Sequence, residues 1–402
     1  MATTSETPAR NIDAEITKYK VAAEIVHSVM QKLVAGAVEG KKVLDLVIEG
    51  DEALEAGAAG VYNKKAKGAA IQKGIAFPTC ISVNNAVAHF SPLKSDPQSD
   101  TVLAKGDVVK IQLGAHIDGY AATSAETLIV GATEDEPATG RAADVVKAAW
   151  TAAEAAMRHL KVGEKNYGVT EIVDKVTAIW DCKPVENMLS CQYERNVIDG
   201  KKKIILNPGE QQRRDVPNET FGENEVYGID ILVVSAADGK ASYTQALMQH
   251  ANRLQSRSED SRCTIYQRVS DVNYQLKMKT SRAVFSEAQK KSGAFPFNIR
   301  CLEDEKKARM GLQEAVQHGL VREYPIAYTA QGTYVAGFHF TIALLPGGPS
   351  LITQPPIWYK PEKVKTEKEV QDEQLKELLV RPLRESKKDK KAKKKAEKED
   401  EE

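Results

Sequence analysis

The sequence predicts an α+β protein, and three observations support that prediction. Apolar residues recur at helical spacing near the start of the chain, and they do so again over 141–160 and 169–180. Short apolar runs typical of β-strands, each closed by turn residues, lie between these helical stretches and after them. This order of helices, strands, helices and strands is typical of an antiparallel sheet covered by helices.

The first predicted element is a long amphipathic helix. Apolar residues from Ile16 to Leu33 follow a spacing of three and four, and Asp13 stands where an N-cap is expected. Gly36 marks the end of the pattern. A second helical stretch is predicted over 43–59.

The first strands follow a cationic connection. Residues 61–74 contain no acid and four lysines, namely Lys64, Lys65, Lys67 and Lys73. The runs with strand character then cover 81–90, 107–119, 126–131, 201–208 and 225–235. A last helix is predicted over 306–318 and a last strand over 335–345.

The composition divides the chain into three parts. We expect a flexible N-terminus over 1–10 and a globular body over 11–360, which contains a helical basic insert over 246–300. The insert has ten basic and four acidic residues. We expect 361–402 to be a disordered lysine-rich tail, because its charges lie in blocks that cannot bury apolar surface.

Charge and cysteine content exclude several function classes. The 56 basic and 56 acidic side chains cancel, so any binding to nucleic acid or to a membrane surface must come from local patches. Five scattered cysteines form no disulfide scaffold and no zinc or redox pair, which is typical of a reduced intracellular protein. No apolar run approaches the roughly 18 residues of a membrane helix, and the first residues do not resemble a secretion signal.

One segment has a specific sequence. Residues 74–92 read GIAFPTCISVNNAVAHFSP, and the strand pattern of 107–119 follows shortly after. This string resembles the type II methionine aminopeptidases, and the similarity covers 12–351. The resemblance implies the pita-bread fold, in which a dinuclear metal site lies between two related halves of a sheet. A weak internal match of 107–113 with 225–231 suggests that Gln112 and Asp230 face a shared centre.

The resemblance also implies five metal ligands, two aspartates, a histidine and two glutamates, because two divalent ions need several carboxylates. Carried over one by one, these positions hold Gln112, Thr123, Cys191, Asp230 and His339. Of these five, Asp230 alone keeps the charge of the ligand it replaces. His89 matches the substrate-side histidine of the family. We therefore predict a protein without catalytic activity, metal or cofactor.

Three other interpretations of these positions remain open. Cys191, Asp230, His339 and His89 are residue types that bind zinc. Cys191 and a histidine could act as nucleophile and base. An active metalloaminopeptidase is the third alternative, and cobalt- or manganese-dependent release of methionine from a peptide would establish it.

Within the superfamily the sequence more closely resembles the non-peptidase group of proliferation-associated proteins, with ErbB-receptor-binding and fungal curved-DNA-binding members. The similarity lies in 73–78, 89–95, 197–200, 207–208 and 340–342, followed by a lysine-rich tail. It implies binding to structured RNA and to the large ribosomal subunit near the tunnel exit. It also implies a role in ribosome biogenesis, translation or growth control, in the cytoplasm, the nucleus and the nucleolus. Curved DNA is the alternative partner, because RNA and DNA share the phosphate backbone.

Local basic patches are the predicted RNA-binding residues. They are Lys64, Lys65, Lys67, Lys73, Lys201, Lys202, Lys203, Arg253, Arg257, Arg262, Arg268, Lys277, Lys279, Arg282, Lys290, Lys291, Lys387, Lys388, Lys390, Lys391, Lys393, Lys394 and Lys395. The alternative for each patch is a solvated face without a partner.

Protein partners are a third hypothesis. The former substrate cleft could bind a protein segment. Leu375, Leu378 and Leu379 have the L-x-x-L-L spacing with which an amphipathic helix docks into a groove on a partner.

Overall fold

The computed structural model describes residues 11–64, 71–243 and 263–384. In chain order its helices are α1 (Ile12–Gly36), α2 (Val43–Gly60), α3 (Gly140–His159), α4 (Asn166–Ala178), α5 (Glu210–Asp215), α6 (Lys279–Ser292), α7 (Glu305–Gln317) and α8 (Glu373–Val380). The strands are β1 (Lys73–Val83), β2 (Val108–Ile117), β3 (Tyr120–Ile129), β4 (Lys183–Pro184), β5 (Met188–Tyr193), β6 (Lys203–Leu206), β7 (Glu225–Val234), β8 (Ser242–Tyr243), β9 (Ile265–Arg268), β10 (Phe297–Asn298), β11 (Val321–Glu323), β12 (Ala327–Tyr328), β13 (Val335–Leu345) and β14 (Gly348–Leu351). The alternation of helices and strands confirms the predicted α+β class.

A nine-stranded antiparallel sheet forms the centre of the fold. Its main path runs β1-β2-β3-β13-β7-β5-β6, with β14 paired to β13 and β4 paired to β7. Strand β13 lies between β3 and β7, and its register with β7 continues from Val335 opposite Val234 to Leu344 opposite Glu225. Ten of its eleven residues are buried, which explains why the sequence of this strand is a nearly continuous apolar run.

Helices cover one face of this sheet. Helix α1 packs on β2 and β3, α2 packs on β1, and α3 packs on β13 and on α4. The N-cap of α1 differs from the prediction, because the Asn11 side chain, and not Asp13, accepts a hydrogen bond from Ala14 N at 3.1 Å. Asp13 lies in the first turn, where a carboxylate favours the positive end of the helix dipole.

The first strand differs from its predicted range. It begins at Lys73 and ends at Val83, so most of the run predicted over 81–90 forms turns and not strand. Asn84 causes the change of direction, since it has a left-handed φ of 50°. Its side chain donates to Asp107 at 2.8 Å and accepts from Val108 N at 2.9 Å, which ties the turn to β2.

The described part of the basic insert is not entirely helical, contrary to the prediction. Helix α6 is preceded by β9 and followed by β10, and both strands join β11 in a separate three-stranded sheet. Tyr266, Val284 and Leu312 belong to a second hydrophobic cluster under this sheet. An ion pair of 2.6 Å between Arg300 and Asp51 links the insert to α2. Residues 246–262 lie outside the described residues.

Residues 361–384, part of the predicted disordered tail, have defined structure. Val364 and Leu375 are buried, and α8 packs on α3. An ion pair of 2.8 Å joins Lys175 to Asp372. The many charged residues led to the prediction of disorder. A few buried apolar residues nevertheless give the segment enough buried surface to pack on the body. Residues 1–10 and 385–402 lie outside the described residues.

The L-x-x-L-L motif is therefore used within the chain. Leu375 is 3% exposed, and Leu378 and Leu379 pack partly against the same core. The prediction that these leucines face a separate partner is wrong for this structure, because their apolar face already contacts the body. No helix in the described parts of the chain is long and apolar enough to cross a membrane.

Candidate functional site

Side chains from four strands meet near the middle of the main sheet. Thr123 on β3, Tyr193 on β5, Asp230 on β7 and His339 on β13 form what we call the central polar cluster. The Thr123 hydroxyl lies 2.6 Å from His339 Nε2 and 2.7 Å from the Tyr193 hydroxyl. The Tyr193 hydroxyl is also 3.2 Å from His339 Nε2. Three polar groups thus bond to one another in the interior of the protein.

The strand register places these residues together. His339 stands opposite Asp230 on one side and opposite Ala125 on the other. Thr341, two residues along β13 and on the same face, accepts a hydrogen bond from Thr123 N and donates one to Thr123 O, both at 3.0 Å. These bonds hold Thr123 against β13, although β3 and β13 share few backbone pairs.

Only one of the two ring nitrogens of His339 has a hydrogen-bond partner among the described residues. Its Nδ1 atom lies 3.8 Å from Asp230 Oδ1, too far for a hydrogen bond. It is a buried nitrogen without a hydrogen-bond partner. The imidazole is therefore oriented by Thr123 and Tyr193 and not by the carboxylate.

Gln112 and Asp230 face one small cavity, as the internal match predicts. The cavity has a volume of about 20 Å³, which is room for about one water molecule. The hypothesis that the former cleft binds a protein segment stays a prediction. Lys110 also lines the cavity, and burial lowers its pKa to about 7.

His89 lies close to the central polar cluster, near Asp230. Its Nδ1 lies 3.2 Å from Pro325 O, and its ring packs edge-on against Tyr324 with centroids 5.2 Å apart. Phe77 contacts it from another side at 5.7 Å. Burial lowers the pKa of His89, which favours the neutral ring. These contacts describe a histidine that is packed against its neighbours and hydrogen-bonded.

Cys191 is not activated as a nucleophile. It stands opposite Gly228 on β7, and burial raises the pKa of its thiol to about 11. A reactive cysteine requires a lowered pKa, so the structure does not favour the nucleophile and base interpretation. The zinc alternative has no support in the geometry either, because no group of three or more metal-binding side chains exists among the described residues.

The donor set does not fit a dinuclear metal centre. Such a centre requires several carboxylates around two cations, and of the five positions only Asp230 supplies one. Gln112 is a neutral amide, and Thr123 and His339 use their lone pairs and protons on each other. We therefore derive no catalytic step through metal ions.

Among the described residues, one exposed group of predicted RNA-binding residues lies on α6 and just before it. Lys277, Lys279, Arg282 and Lys290 are exposed, and we call them the α6 face. Arg282 Nη1 donates to two carbonyls just before the helix, at 2.9 and 2.7 Å, which holds its guanidinium near the helix N-terminus.

No carboxylate from α6 itself neutralises this face. The acid of the helix, Glu287, is half-buried and pairs with Lys291 at 3.3 Å. It also accepts a hydrogen bond from Glu303 N at 2.8 Å. Val284 and Ala288 occupy the opposite, buried side. The α6 face is therefore a cationic surface on a rigid helix.

Two other predicted binding cations, Lys73 and Lys202, contact groups of the fold. Lys73 donates to Asn63 Oδ1 at 2.6 Å and to Ala59 O at 3.3 Å, so it closes the C-terminal end of α2. Lys202 pairs with Glu225 at 2.6 Å. The charge of Lys202 is thus matched by a carboxylate, whereas the partners of Lys73 are neutral oxygens, and both residues stay predicted RNA-binding residues.

Two cations of the insert are also engaged. Arg268 is half-buried, and its guanidinium lies 5.7 Å from the centre of the Phe285 ring. Lys291 pairs with Glu287 and donates to Cys301 O. Both side chains stabilise the insert itself.

The remaining predicted residues divide into two sets. Lys64 and Lys201 are exposed, and Lys203 is half-buried on β6. The others lie outside the described residues, namely Lys65, Lys67, Arg253, Arg257, Arg262, Lys387, Lys388, Lys390, Lys391, Lys393, Lys394 and Lys395.

Two residues near the centre were missed by the sequence analysis. Tyr193 lies two positions after Cys191 on the same strand, and Lys110 lies two positions before Gln112. Residues at this spacing share a face of a strand, so both could have been found from the candidates already named.

Comparison with known proteins gives a consistent result. The model of metallopeptidase family M24 matches residues 17–184. The curved DNA-binding protein of Schizosaccharomyces pombe is 42% identical over 92% of this chain and 91% of its own length. ERBB-3 binding protein 1 of Arabidopsis thaliana is 42% identical over 88% of this chain and 84% of its own length.

A solved structure agrees with these relatives. The structure of a thermophilic Arx1 is 30% identical, with a TM-score of 0.82, and the match covers 94% of this chain and all of that one. The pita-bread fold and the resemblance to the proliferation-associated group are thereby confirmed.

Proposed function

Because this chain belongs to metallopeptidase family M24, in the group that includes the curved DNA-binding protein and ERBB-3 binding protein 1, we propose that it is a non-catalytic nucleic-acid-binding protein. Its partners are structured RNA and the large ribosomal subunit near the tunnel exit. It acts in ribosome biogenesis, translation or growth control.

The donor set supports the non-catalytic part of the proposal. A metallopeptidase activates water between two cations, and this requires the carboxylates that Gln112, Thr123 and His339 replace. The expected result of a peptidase assay with cobalt or manganese is no release of methionine from a short peptide. Substantial metal-dependent release would overturn this part.

The α6 face is the single observation that carries the binding part. Exposed lysines and an arginine on and just before one helix form a local cationic surface, and each contact with a phosphate releases counterions. An A-form RNA surface can be recognised by its shape and backbone without base contacts. The name of the S. pombe relative, curved DNA-binding protein, supports nucleic acid as the class of partner.

Co-sedimentation with purified large ribosomal subunits tests the proposal. We change Lys277, Lys279 and Lys290 together to glutamate, because these side chains are exposed and make no side-chain hydrogen bond to any of the residues that the structure describes. Binding should fall at least tenfold, and the slope of log affinity against log salt should decrease by about 2. The same charge reversal at Arg253, Arg257 and Arg262, outside the described residues, should abolish association.

A matched control separates local contact from net charge. Lys20, Lys32 and Lys161 are exposed and lie elsewhere on the surface, so their change to glutamate alters the net charge by the same amount. This control should bind as the unchanged protein does. An equal loss of ribosome binding in both triple variants, or no loss of binding in the α6 variant, would contradict the role of the α6 face.

Curved DNA is the second candidate partner, and the name of the S. pombe relative is the observation that favours it. A competition experiment distinguishes RNA from DNA as the partner. Structured RNA should displace the protein from ribosomal subunits at a lower concentration than an A-tract DNA duplex of equal phosphate count. The reverse order would favour DNA.

The proposed location follows from the proposed partners. A protein of ribosome biogenesis and translation resides in the cytoplasm, the nucleus and the nucleolus. Imaging of a tagged full-length chain tests this, and exclusion from both the nucleus and ribosome-rich cytoplasm would contradict it.

A further inference from the structure

Two aromatic rings are stacked at the surface of the insert. Tyr274 lies in the segment between β9 and α6, and His318 directly follows the last residue of α7. Their ring centroids are 3.7 Å apart, and the ring planes differ by 14°. His318 is exposed and Tyr274 is half-buried. Tyr274 therefore covers one face of an imidazole that the surrounding protein leaves accessible.

Contacts within the insert place this ring pair beside the cations. Glu314, one turn before His318 on α7, accepts hydrogen bonds from Lys277 N at 2.6 Å and from Met278 N at 3.2 Å. The backbone N–H of His318 in turn donates to Glu314 O at 3.2 Å. Tyr274 precedes Lys277 by three residues, which span at most about 11 Å. The two rings and the first lysine of the α6 face thus share one small area of the surface.

Exposed methionines extend this area. Met278, the residue just before α6, is 49% exposed, and Met310, one turn before Glu314 on α7, is 58% exposed. A thioether is apolar and polarizable, and it packs well against the edge of an aromatic ring. The surface therefore combines flat and apolar groups with cations, a combination typical of sites that bind unpaired nucleotides.

We propose that this ring pair is a stacking platform for an unpaired base of RNA. The inference rests on the proposed function, because the α6 face supplies the contacts with the phosphates. The base lies on the side of the His318 ring opposite Tyr274, and Lys277 and Arg282 contact the phosphates next to it. Arg282 is held there by its hydrogen bonds to Leu276 O and Lys277 O, at 2.9 and 2.7 Å.

A paired base cannot use this platform. Inside a helix each base is stacked on both faces by its neighbours, whereas a base in a loop or bulge exposes a face. Every base has a π surface, so the platform adds affinity for loops without selecting a sequence. A protein partner would instead need a continuous patch of about 800 Å². Here the rings and methionines are flanked by lysines and an arginine, which favours a phosphate-bearing ligand.

Hairpin RNAs that differ only in the bases of the loop test the proposal. One hairpin has a loop of adenosines, and the other has the same loop with abasic nucleotides, so both carry the same number of phosphates. Fluorescence anisotropy with the unchanged full-length chain should show at least fivefold tighter binding of the adenosine loop. Equal affinities would overturn the inference and leave the proposed function in place. Failure to bind either hairpin would overturn the proposed function, and this inference with it.

Ring variants locate the platform. Tyr274→Leu combined with His318→Leu removes both π surfaces and should abolish the preference for the adenosine loop. Binding of the abasic hairpin should stay unchanged, which shows that the double variant is folded and its α6 face intact. His318→Tyr keeps a ring and should keep the preference. A full preference in the double variant, or an equal loss of affinity for both hairpins, would contradict a stacking role.

Two further variants separate stacking from charge. His27 is a half-buried histidine on α1, and His27→Leu is the matched control, which should keep the preference. Lys277→Glu should weaken the binding of both hairpins by the same factor, because it removes a phosphate contact that both RNAs make. Loss of the preference in either variant would contradict the assignment of the platform to Tyr274 and His318.

A free nucleotide is the other possible source of a base. Adenosine monophosphate offers the same base with one phosphate, so it lacks contacts with the rest of the α6 face. It should bind at least tenfold more weakly than the hairpin with the adenosine loop. Equal or tighter binding of the mononucleotide would overturn RNA as the source of the base.

Discussion

Thr123 holds the central polar cluster together. Its hydroxyl bonds to both His339 and Tyr193, and its backbone bonds to Thr341. The resemblance places a metal-binding aspartate at this position. A hydroxyl there cannot bridge two cations, but it can satisfy a histidine and a tyrosine at once. The same place in the fold thus stabilises the protein through hydrogen bonds between its own side chains.

Thr123→Val removes the shared hydroxyl without a large change in shape. It leaves the Tyr193 hydroxyl and the His339 imidazole with only their mutual contact, so the free energy of unfolding should fall by about 1 to 3 kcal/mol. Urea denaturation followed by circular dichroism measures the change. In a double-mutant cycle with Tyr193→Phe, the second change should cost less after the first. Strict additivity would contradict a shared network.

Glu126 gives the protein a specific pH dependence. Burial raises its pKa to about 7, partly offset by the hydrogen bond from Ile357 N. The folded protein therefore holds this proton more tightly than the unfolded chain does. Stability from this group is present below the unfolded pKa, near 4.5, and is lost as the pH rises through about 7.

The pH dependence due to Glu126 is measured as the difference in unfolding free energy between the unchanged protein and Glu126→Gln. Between pH 4.5 and pH 8, the unfolding free energy of the unchanged protein should fall by roughly 3 kcal/mol relative to that of Glu126→Gln. Urea denaturation of both proteins at the two pH values measures this, and groups common to both cancel. Parallel pH profiles would show that Glu126 is not the buried acid described here.

At the scale of elements, the C-terminal segment 352–384 fastens the helix layer to the sheet. Ile357 bonds to Glu126, Val364 is buried and forms a parallel bridge with Ala138, and Leu375 packs on the body. Most of the ion pairs along this segment are exposed and contribute little. Its attachment therefore depends on a few apolar anchors.

Leu375→Ala should release the end of this segment. The change removes most of one buried side chain, which costs about 2 to 5 kcal/mol where the surroundings cannot collapse. Limited proteolysis should cut within 361–384 at least ten times faster, while the rest of the chain stays resistant. Val380→Ala, at a residue 83% exposed, is the control and should leave the rate unchanged. Equal rates in all three proteins would mean that Leu375 is not an anchor.

Three parts of the chain show why some elements could be predicted from the sequence and others could not. Strand β13 was predicted at its observed bounds, because a buried central strand is a nearly continuous apolar run. Strands β9 and β10 have four and two residues, too short for any periodicity to show in a segment dominated by charge. In the tail, Val364 and Leu375 are separated by ten largely polar residues, so composition indicated disorder although tertiary contacts order the chain.

At the scale of the whole molecule, the candidate site was predictable in part. The internal match placed Gln112 and Asp230 at one centre, and both line the same cavity. The hydrogen bonds among Thr123, Tyr193 and His339 could not be predicted, because they depend on the register of three strands distant in sequence. Charge counting also failed to separate the exposed Lys279 from cations that pair within the fold, since pairing is decided by tertiary contacts.

The molecule combines a sheet centre whose side chains do not fit a dinuclear metal site with an exposed cationic helix. In the proposed function, the first feature is the reason to expect no peptide hydrolysis, and the second is the proposed surface for phosphates. The net charge of zero means that attraction must be local, so contacts with nucleic acid should concentrate at the α6 face and not spread over the molecule.

Ultraviolet crosslinking in cells, followed by sequencing of the attached nucleic acid and mass spectrometry of the crosslinked peptides, tests this central claim most directly. We expect crosslinks concentrated on large-subunit ribosomal RNA, with crosslinked peptides from the basic insert that contains α6. Absence of ribosomal RNA, or crosslinks only to DNA or to scattered messages, would contradict it and leave the α6 face as a solvated surface or the site of a different partner.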